Sequence, residues 1–108
     1  ERKLERFDSV AWKTDKDGCN GTRASMKEDL LKNKYTMRGL STREVIDLMG
    51  YPDAESLADR SQKYYIYFIE PGPKCDNYES KSTALYVRFS AVGIANELTF
   101  REFVPDPR

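Results

Sequence analysis

The chain has 108 residues, of which 39% are hydrophobic and 33% are charged, and its 18 basic and 18 acidic side chains balance to a net charge of zero. This balance excludes the strongly positive surface that a general nucleic-acid binder needs, and it does not favour binding to an anionic membrane. No apolar run approaches the roughly 20 residues of a membrane span. We expect one folded domain over residues 1–108, with 1–14 as a lead-in arm and 104–108 as a tail.

The sequence contains no motif that indicates catalysis or metal binding. It has no histidine, which excludes nucleophile–histidine triads and the usual zinc ligand sets. Residues 15–18 (DKDG) have one feature of a calcium-binding loop, but Lys13 and Ala24 fall where that loop needs carboxylates. We therefore predict a non-catalytic protein with no cofactor.

The sequence of the N-terminal third allows a short helical turn and predicts one full helix after it. Residues 7–14 (FDSVAWKT) can form a single helical turn capped by Asp8, or an extended arm, and Trp12 is expected to anchor the core rather than stack on a ligand. Residues 22–34 predict the first full helix, because Thr22 or Ser25 can cap its start. Its apolar face consists of Met26, Leu30 and Leu31.

The two cysteines, Cys19 and Cys75, lie far apart in sequence, and each is surrounded by polar, turn-forming residues. A buried structural thiol usually has apolar neighbours, whereas a pair of loop cysteines in a small domain more often forms a disulfide. We therefore favour a Cys19–Cys75 disulfide over two free thiols. Such a disulfide would imply an oxidising compartment.

Residues 39–52 (GLSTREVIDLMGYP) predict a second helix with a defined start and end. Ser41 and Glu44 have the spacing of a capping box, and Leu40 and Val45 have that of a hydrophobic staple. Glycine and proline at the end of the segment stop the helix. The apolar side chains that should face the core are Val45, Ile46, Leu48 and Met49.

The C-terminal half predicts three β-strands, over residues 63–69, 83–90 and 94–103, because apolar residues there alternate with polar or aromatic ones. Residues 53–62 are polar and give no assignment. A short connection at 91–93 makes the last two strands antiparallel neighbours. We therefore predict an α+β fold, a two-layer sandwich of two helices on one face of a three-stranded antiparallel sheet.

The candidate functional surface is the sheet face that the helices leave uncovered. We predict that it carries Tyr65, Tyr67, Tyr86 and Arg88, which are residue types enriched at binding hot spots. The alternative is a solvated face on which tyrosines pair across strands. A reversed assignment of the two faces would expose Tyr64 instead.

The order of elements and the 39–52 motif resemble the SmpA/OmlA (BamE-like) family of small lipoproteins. In that family a G-x-[ST]-x-x-E-V-x-x-x-L-G-x-P segment forms the second helix and its exit. The matching residues here are Gly39, Ser41, Glu44, Val45, Gly50 and Pro52, with Met49 in place of leucine. The strand residues similar to that family's sheet are Tyr67, Ile69, Leu85, Val87, Phe89 and Gly93.

The resemblance covers about residues 26–103 and implies a fold shared with β-lactamase-inhibitor-protein-like domains. It also implies a bacterial periplasmic or cell-envelope protein that binds a protein partner of unspecified identity. Contact with the outer membrane would then occur only through a lipid anchor outside these residues. The alternative function is an inhibitor domain that docks the same sheet face into an enzyme cleft.

Overall fold

The computed structural model describes residues 7–57, 62–79 and 81–103. These residues form an α+β fold with a four-stranded sheet in which every neighbouring pair of strands is antiparallel. The helical segments are α1 (Ser9–Thr14), a 3-10 turn (Lys16–Gly18), α2 (Thr22–Ser25), α3 (Lys27–Lys32), α4 (Lys34–Met37) and α5 (Thr42–Met49). The strands are β1 (Ala54–Leu57), β2 (Lys63–Phe68), β3 (Ser82–Phe89) and β4 (Ala95–Phe103).

The sheet has four strands where the sequence predicts three, and the additional strand is β1. The spatial order is β1-β2-β3-β4, which is a simple meander. β1 pairs with β2 from Ala54 opposite Ile66 to Leu57 opposite Lys63. It is an edge strand of four residues, three of which are exposed, so its sequence lacks the alternation that identifies a half-buried strand. Of the polar stretch 53–62 that the sequence left unassigned, residues 58–61 lie outside the described residues.

The first predicted helix, 22–34, is divided into α2, α3 and α4. Met26 and Asn33 separate these segments, with ψ near 0° at both residues. The Asn33 side chain donates to the Asp29 carbonyl oxygen at 2.7 Å, and such local bonding by asparagine competes with regular helix geometry. The prediction of two helices is therefore wrong in number. The continuous helix that was predicted is interrupted at Met26 and Asn33 and forms three short helical segments instead.

Helix α5 confirms the capping prediction. The Ser41 side chain accepts from the Glu44 amide at 3.1 Å, and the Glu44 carboxylate accepts from the Ser41 amide at 2.9 Å. Leu40 and Val45, the staple pair, are both fully buried. Gly50 ends the helix with φ of 79°, a value that favours glycine. This helix is determined locally at both ends.

Helix α1 forms the last six residues of the segment 1–14 that was predicted as a lead-in, and of the two alternatives for 7–14 the structure shows the helix. Asp8 caps it by accepting from the Ala11 amide at 3.0 Å. The Ser9 hydroxyl donates to the Leu48 carbonyl oxygen, and the Lys13 ammonium donates to the Asp47 carbonyl oxygen at 2.7 Å. Trp12 is fully buried in the core. Residues 1–6 and the predicted tail 104–108 lie outside the described residues.

The main core lies between the helices and one face of the sheet. Trp12, Leu30, Val45 and Met49 represent the helical side. The sheet contributes buried side chains from every strand but β1, namely Tyr65, Tyr67, Leu85, Val87, Phe89, Ala95 and Leu98. The opposite face of the sheet, which we call the outer face, is therefore the one on which an interaction surface can lie.

Candidate functional site

The strand register places Tyr65 and Tyr67 on the helix-covered face. Tyr65 lies opposite Val87 and Tyr67 lies opposite Leu85, and directly opposed residues share a face. Tyr65 is 6% exposed and Tyr67 is 0% exposed. The prediction that they join Tyr86 on an exposed face is therefore wrong. The run 64–69 is apolar or aromatic on both faces, so periodicity alone does not distinguish the buried set from the exposed one.

Burial of the Tyr67 hydroxyl is compensated by a hydrogen bond. This hydroxyl donates to the Gly50 carbonyl oxygen at 2.8 Å, which ties β2 to the end of α5. Burial raises the pKa of Tyr67 well above its usual value, so the side chain stays neutral and keeps this proton. Tyr67 is thus a core residue, and it cannot contact a partner without unfolding.

Tyr86 and Arg88 do lie on the outer face, and the structure brings Tyr64 and Arg101 to them. We call these four residues the Tyr–Arg cluster. The Tyr64 and Tyr86 rings meet edge to face with centroids 5.8 Å apart. The Arg101 guanidinium lies 4.4 Å from the Tyr86 centroid and 5.0 Å from that of Tyr64, while the Arg88 guanidinium lies 5.8 Å from Tyr64. Each arginine therefore stacks on an aromatic ring at cation–π distance.

The cluster rests on a small second core. Ile66, Phe68 and Ala84 are buried on the outer face at 2%, 3% and 0% exposure, and Phe103 packs edge to face on Phe68 with centroids 4.9 Å apart. Tyr64 and Tyr86 pack against this core and are themselves half-buried. The aromatic rings of the cluster consequently have a fixed apolar base and a partly exposed upper surface.

The cluster combines two arginine side chains with two tyrosine phenols. Burial raises the pKa of Tyr86, although the nearby Arg101 guanidinium acts in the opposite direction. Arg88 donates from Nε to the Gln62 side-chain oxygen at 2.7 Å. A groove of about 550 Å³ runs beside the cluster, lined by Lys34, Arg38, Gln62, Arg88, Asn96 and Glu97 among others. The arrangement suits a partner that offers carbonyl or carboxylate acceptors and apolar contact area.

A buried arginine, Arg23, is the centre of a polar network near the end of β2. With its partner Asp53 it connects Trp12, Asp17 and Phe68. Arg23 is 1% exposed; it donates from Nη1 to Asp53 Oδ2 at 2.7 Å and from Nε to the Trp12 carbonyl oxygen at 2.9 Å. Asp53 also accepts from the Phe68 amide at 2.9 Å and from the Asp17 amide at 3.2 Å. Every partner is a structural group of the chain, so we assign this network to fold stabilisation.

The predicted disulfide is present next to this network. Cys19 and Cys75 are bonded, with Cα atoms 5.5 Å apart and 56 positions of sequence separation. The Gly72 amide donates to the Asp17 carbonyl oxygen at 3.0 Å in the same region. A Cβ on Gly18 would lie 2.7 Å from the Glu70 carbonyl oxygen, so only glycine allows the two loops to approach this closely.

In the 15–18 segment, the Asp15 carboxylate bonds to the backbone. Asp15 accepts from the amides of Asn20 and Arg23 at 2.8 Å and 3.0 Å. Within the described ranges, no group of three or more histidine, cysteine or acidic side chains could hold a metal ion. Likewise, none of the helices in the described part of the chain is long and apolar enough to cross a membrane.

Comparison with known proteins gave no match to a family model and no significant match among curated proteins or solved structures. The site therefore has to be interpreted from its own residues. Sequence reasoning named Tyr86 and Arg88, treated Tyr64 as an alternative and missed Arg101. The signal that could have found Arg101 is its alternation with Thr99 and Glu97 on the polar face of the last strand.

Proposed function

We propose that this protein is a non-catalytic protein-binding module of the bacterial cell envelope, and that it binds its partner through the Tyr–Arg cluster. The observation that supports this proposal is the cluster itself: two tyrosines and two arginines stacked on the sheet face that the helices leave open. Tyrosine and arginine dominate the binding energy of protein interfaces. A solvated face does not require such an assembly.

Preorganisation supports the same proposal. Ordering a long side chain on binding costs roughly 0.5–1.5 kcal/mol, and this cost is reduced where the side chain is already held. Arg101 and Arg88 are held on the tyrosine rings, and the rings are held by Ile66 and Phe68 below them. Each guanidinium donates from Nε to a neighbouring side chain, Gln62 for Arg88 and Thr99 for Arg101, and its other N–H groups can donate to a partner.

The disulfide and the 39–52 motif support the envelope location. Disulfides persist in oxidising compartments such as the periplasm, and the Cys19–Cys75 bond joins two loops of this fold. The resemblance of the motif to the SmpA/OmlA (BamE-like) lipoproteins points to the same compartment, with a lipid anchor as the means of membrane attachment. From this resemblance we also propose that the chain binds a protein partner, without specifying which one.

The test is a quantitative pull-down from bacterial envelope extract with three baits. These are the wild type, Tyr64→Ala/Arg88→Ala in the cluster, and Tyr51→Ala/Arg43→Ala as a matched control whose tyrosine and arginine are exposed elsewhere. We expect partner recovery to fall by about tenfold or more for the cluster variant and to stay near wild type for the control. Equal recovery by all three baits would exclude the cluster from the interface.

The proteins recovered in the same pull-downs also distinguish the inhibitor alternative from a binding module without inhibitory activity. If the cluster docks into an enzyme cleft, the recovered partner is a hydrolase whose activity falls when the wild-type protein is added and is retained with Tyr64→Ala/Arg88→Ala. A partner without catalytic activity, or one that stays fully active when bound, assigns the module to assembly or recognition. Near-ultraviolet circular dichroism of each bait verifies that the variants are folded.

A further inference from the structure

Strand β4 forms one edge of the sheet, and none of the described residues pairs with most of that edge. It is nine residues long, whereas the other edge strand, β1, has four. At its start, Ala95 donates to the Leu40 carbonyl oxygen and accepts from the Gly39 amide, both at 2.8 Å. Beyond Ala95, the backbone of β4 has no hydrogen-bond partner among the described residues other than β3. An open edge of this kind can pair with a further strand.

The charges along this edge are arranged symmetrically about Thr99. Glu97 lies two residues before Thr99, and Arg101 lies two residues after it. All three alternate onto the outer face, opposite Arg88, Tyr86 and Ala84 of β3. Both charged residues are exposed. In an antiparallel pair centred on Thr99, each Glu97 would face the Arg101 of the other strand.

We propose that β4 pairs with β4 of a second copy of this chain, antiparallel and centred on Thr99, to form a two-fold symmetric dimer. The two-fold axis passes through the Thr99 pair and is normal to the sheet. Two Glu97–Arg101 pairs then form at symmetric positions, and opposite charges directly across strands stabilise pairing. On the helix-covered face, Leu98 lies opposite Phe100 of the partner copy, so apolar side chains also meet.

The same pattern explains why an edge with charged residues does not simply repel a second copy. Charges at an edge usually prevent pairing, because like charges meet in most registers. Here the one antiparallel register centred on Thr99 brings only opposite charges together on the outer face. The contact of Ala95 with residues 39–40 closes the start of the strand, which confines the pairing to the segment around Thr99.

Arg101 can contribute to the pairing while it belongs to the Tyr–Arg cluster. Its guanidinium lies over the Tyr86 ring, 4.4 Å from the centroid, and it carries five N–H donors, of which the one on Nε donates to Thr99 Oγ1 at 3.4 Å. The carboxylate of the partner copy can therefore accept from Arg101 without removing it from the ring. Because the axis is normal to the sheet, the clusters of both copies lie on the same side of one continuous sheet.

The test measures self-association by analytical ultracentrifugation across a range of protein concentrations. We expect the wild type to form dimers reversibly and more weakly at high salt, since salt screens exposed charge pairs. Glu97→Arg and Arg101→Glu each place like charges at both symmetric positions, so each variant alone should dimerise at least about tenfold more weakly. Glu55→Arg, which makes the same charge change on β1, is the control and should match the wild type.

The decisive sample is an equimolar mixture of Glu97→Arg and Arg101→Glu. In the mixed dimer both cross-strand pairs again join opposite charges, so dimerisation should return to near the wild-type level. The mixture also excludes misfolding as the cause of the single-variant losses. A wild type that stays monomeric at millimolar concentration, single variants that dimerise normally, or a mixture that does not recover would each overturn the proposal.

This inference does not depend on the proposed function. Dimerisation is measured on the purified protein alone, whereas partner recovery is measured with Tyr64→Ala/Arg88→Ala, which leaves Glu97, Thr99 and Arg101 unchanged. If dimerisation is not observed but partner recovery depends on the cluster, only the dimer proposal has failed. The reverse outcome means that only the proposed function has failed.

Discussion

The two faces of the sheet are stabilised in different ways. The helix-covered face is closed by the main core, by the Arg23–Asp53 ion pair, which is almost fully buried, and by the Cys19–Cys75 disulfide at one end. In the described part of the chain, the outer face has a small apolar core of three buried residues, and partly exposed aromatic and arginine side chains pack over it. On the helix-covered face the Arg23 and Asp53 side chains are buried together inside the chain. On the outer face the Tyr64, Tyr86 and Arg88 side chains are only partly buried and Arg101 is exposed.

This difference separates the residues that maintain the fold from those that can bind. Tyr67 and Tyr64 illustrate it, since they lie on the same strand only three positions apart. The Tyr67 hydroxyl bonds to the Gly50 carbonyl oxygen inside the protein, while the Tyr64 ring is covered by the exposed Arg101. Substitutions on the helix-covered face should therefore lower stability, and substitutions on the outer face should mainly alter binding.

The largest effect is expected from Asp53→Ala. This change removes the partner of a buried guanidinium and leaves the Phe68 and Asp17 amides without their acceptor. Breaking one member of a buried ion pair costs roughly 3–5 kcal/mol of unfolding free energy, which chemical denaturation would measure. Asp47→Ala, which breaks the exposed Arg43–Asp47 pair, is the control and should cost less than about 0.5 kcal/mol. Similar losses for the two variants would contradict the structural role of the network.

A loss of similar size is expected when the disulfide is removed. The bond closes a loop with a sequence separation of 56, and the chain-entropy model assigns such a loop about 4 kcal/mol. Cys19→Ser/Cys75→Ser should lower the denaturation midpoint accordingly, and reduction of the wild type should do the same. Intact mass before and after reductant checks that the bond forms; a mass unchanged by reduction would show two free thiols instead.

The smallest stability changes are expected from removing a single tyrosine hydroxyl on each face of the sheet. Tyr67→Phe leaves the Gly50 carbonyl oxygen without its buried donor, which should cost about 1–2 kcal/mol of unfolding free energy. Tyr64→Phe keeps the aromatic ring of the Tyr–Arg cluster and should change stability by less than about 0.5 kcal/mol. Both variants carry the same type of substitution on the same strand, and chemical denaturation measures the free energy of unfolding of each. A larger loss for Tyr64→Phe would reverse our assignment of the two faces.

Local sequence patterns predicted the elements whose boundaries are set by neighbouring residues. The capping box, staple and glycine stop of α5 are all present, because each involves groups within a few positions of one another. The last two strands were also correctly placed. The missed strand β1 has three exposed residues out of four, so its pairing with β2, and not its own alternation, makes it a strand.

The Tyr–Arg cluster was only half predictable. Tyr86 and Arg88 follow from the alternation of β3, where leucine, valine and phenylalanine mark the buried face. β2 gives no such signal, since both its faces carry large apolar or aromatic side chains. Its two tyrosines at 65 and 67 were therefore assigned to the wrong side, and the register with Leu85 and Val87 corrects this.

By itself, the sequence determined the α+β class and the second helix, and it favoured the disulfide pairing of Cys19 with Cys75 that the structure shows. Only the tertiary structure decided which face of β2 is buried, that Arg23 lies inside the protein, and that β4 offers an open edge with charges symmetric about Thr99. The physical reason is distance along the chain. Caps and turns involve neighbours in sequence, whereas strand register, a buried ion pair 30 positions apart and the two faces of a sheet depend on contacts between distant segments.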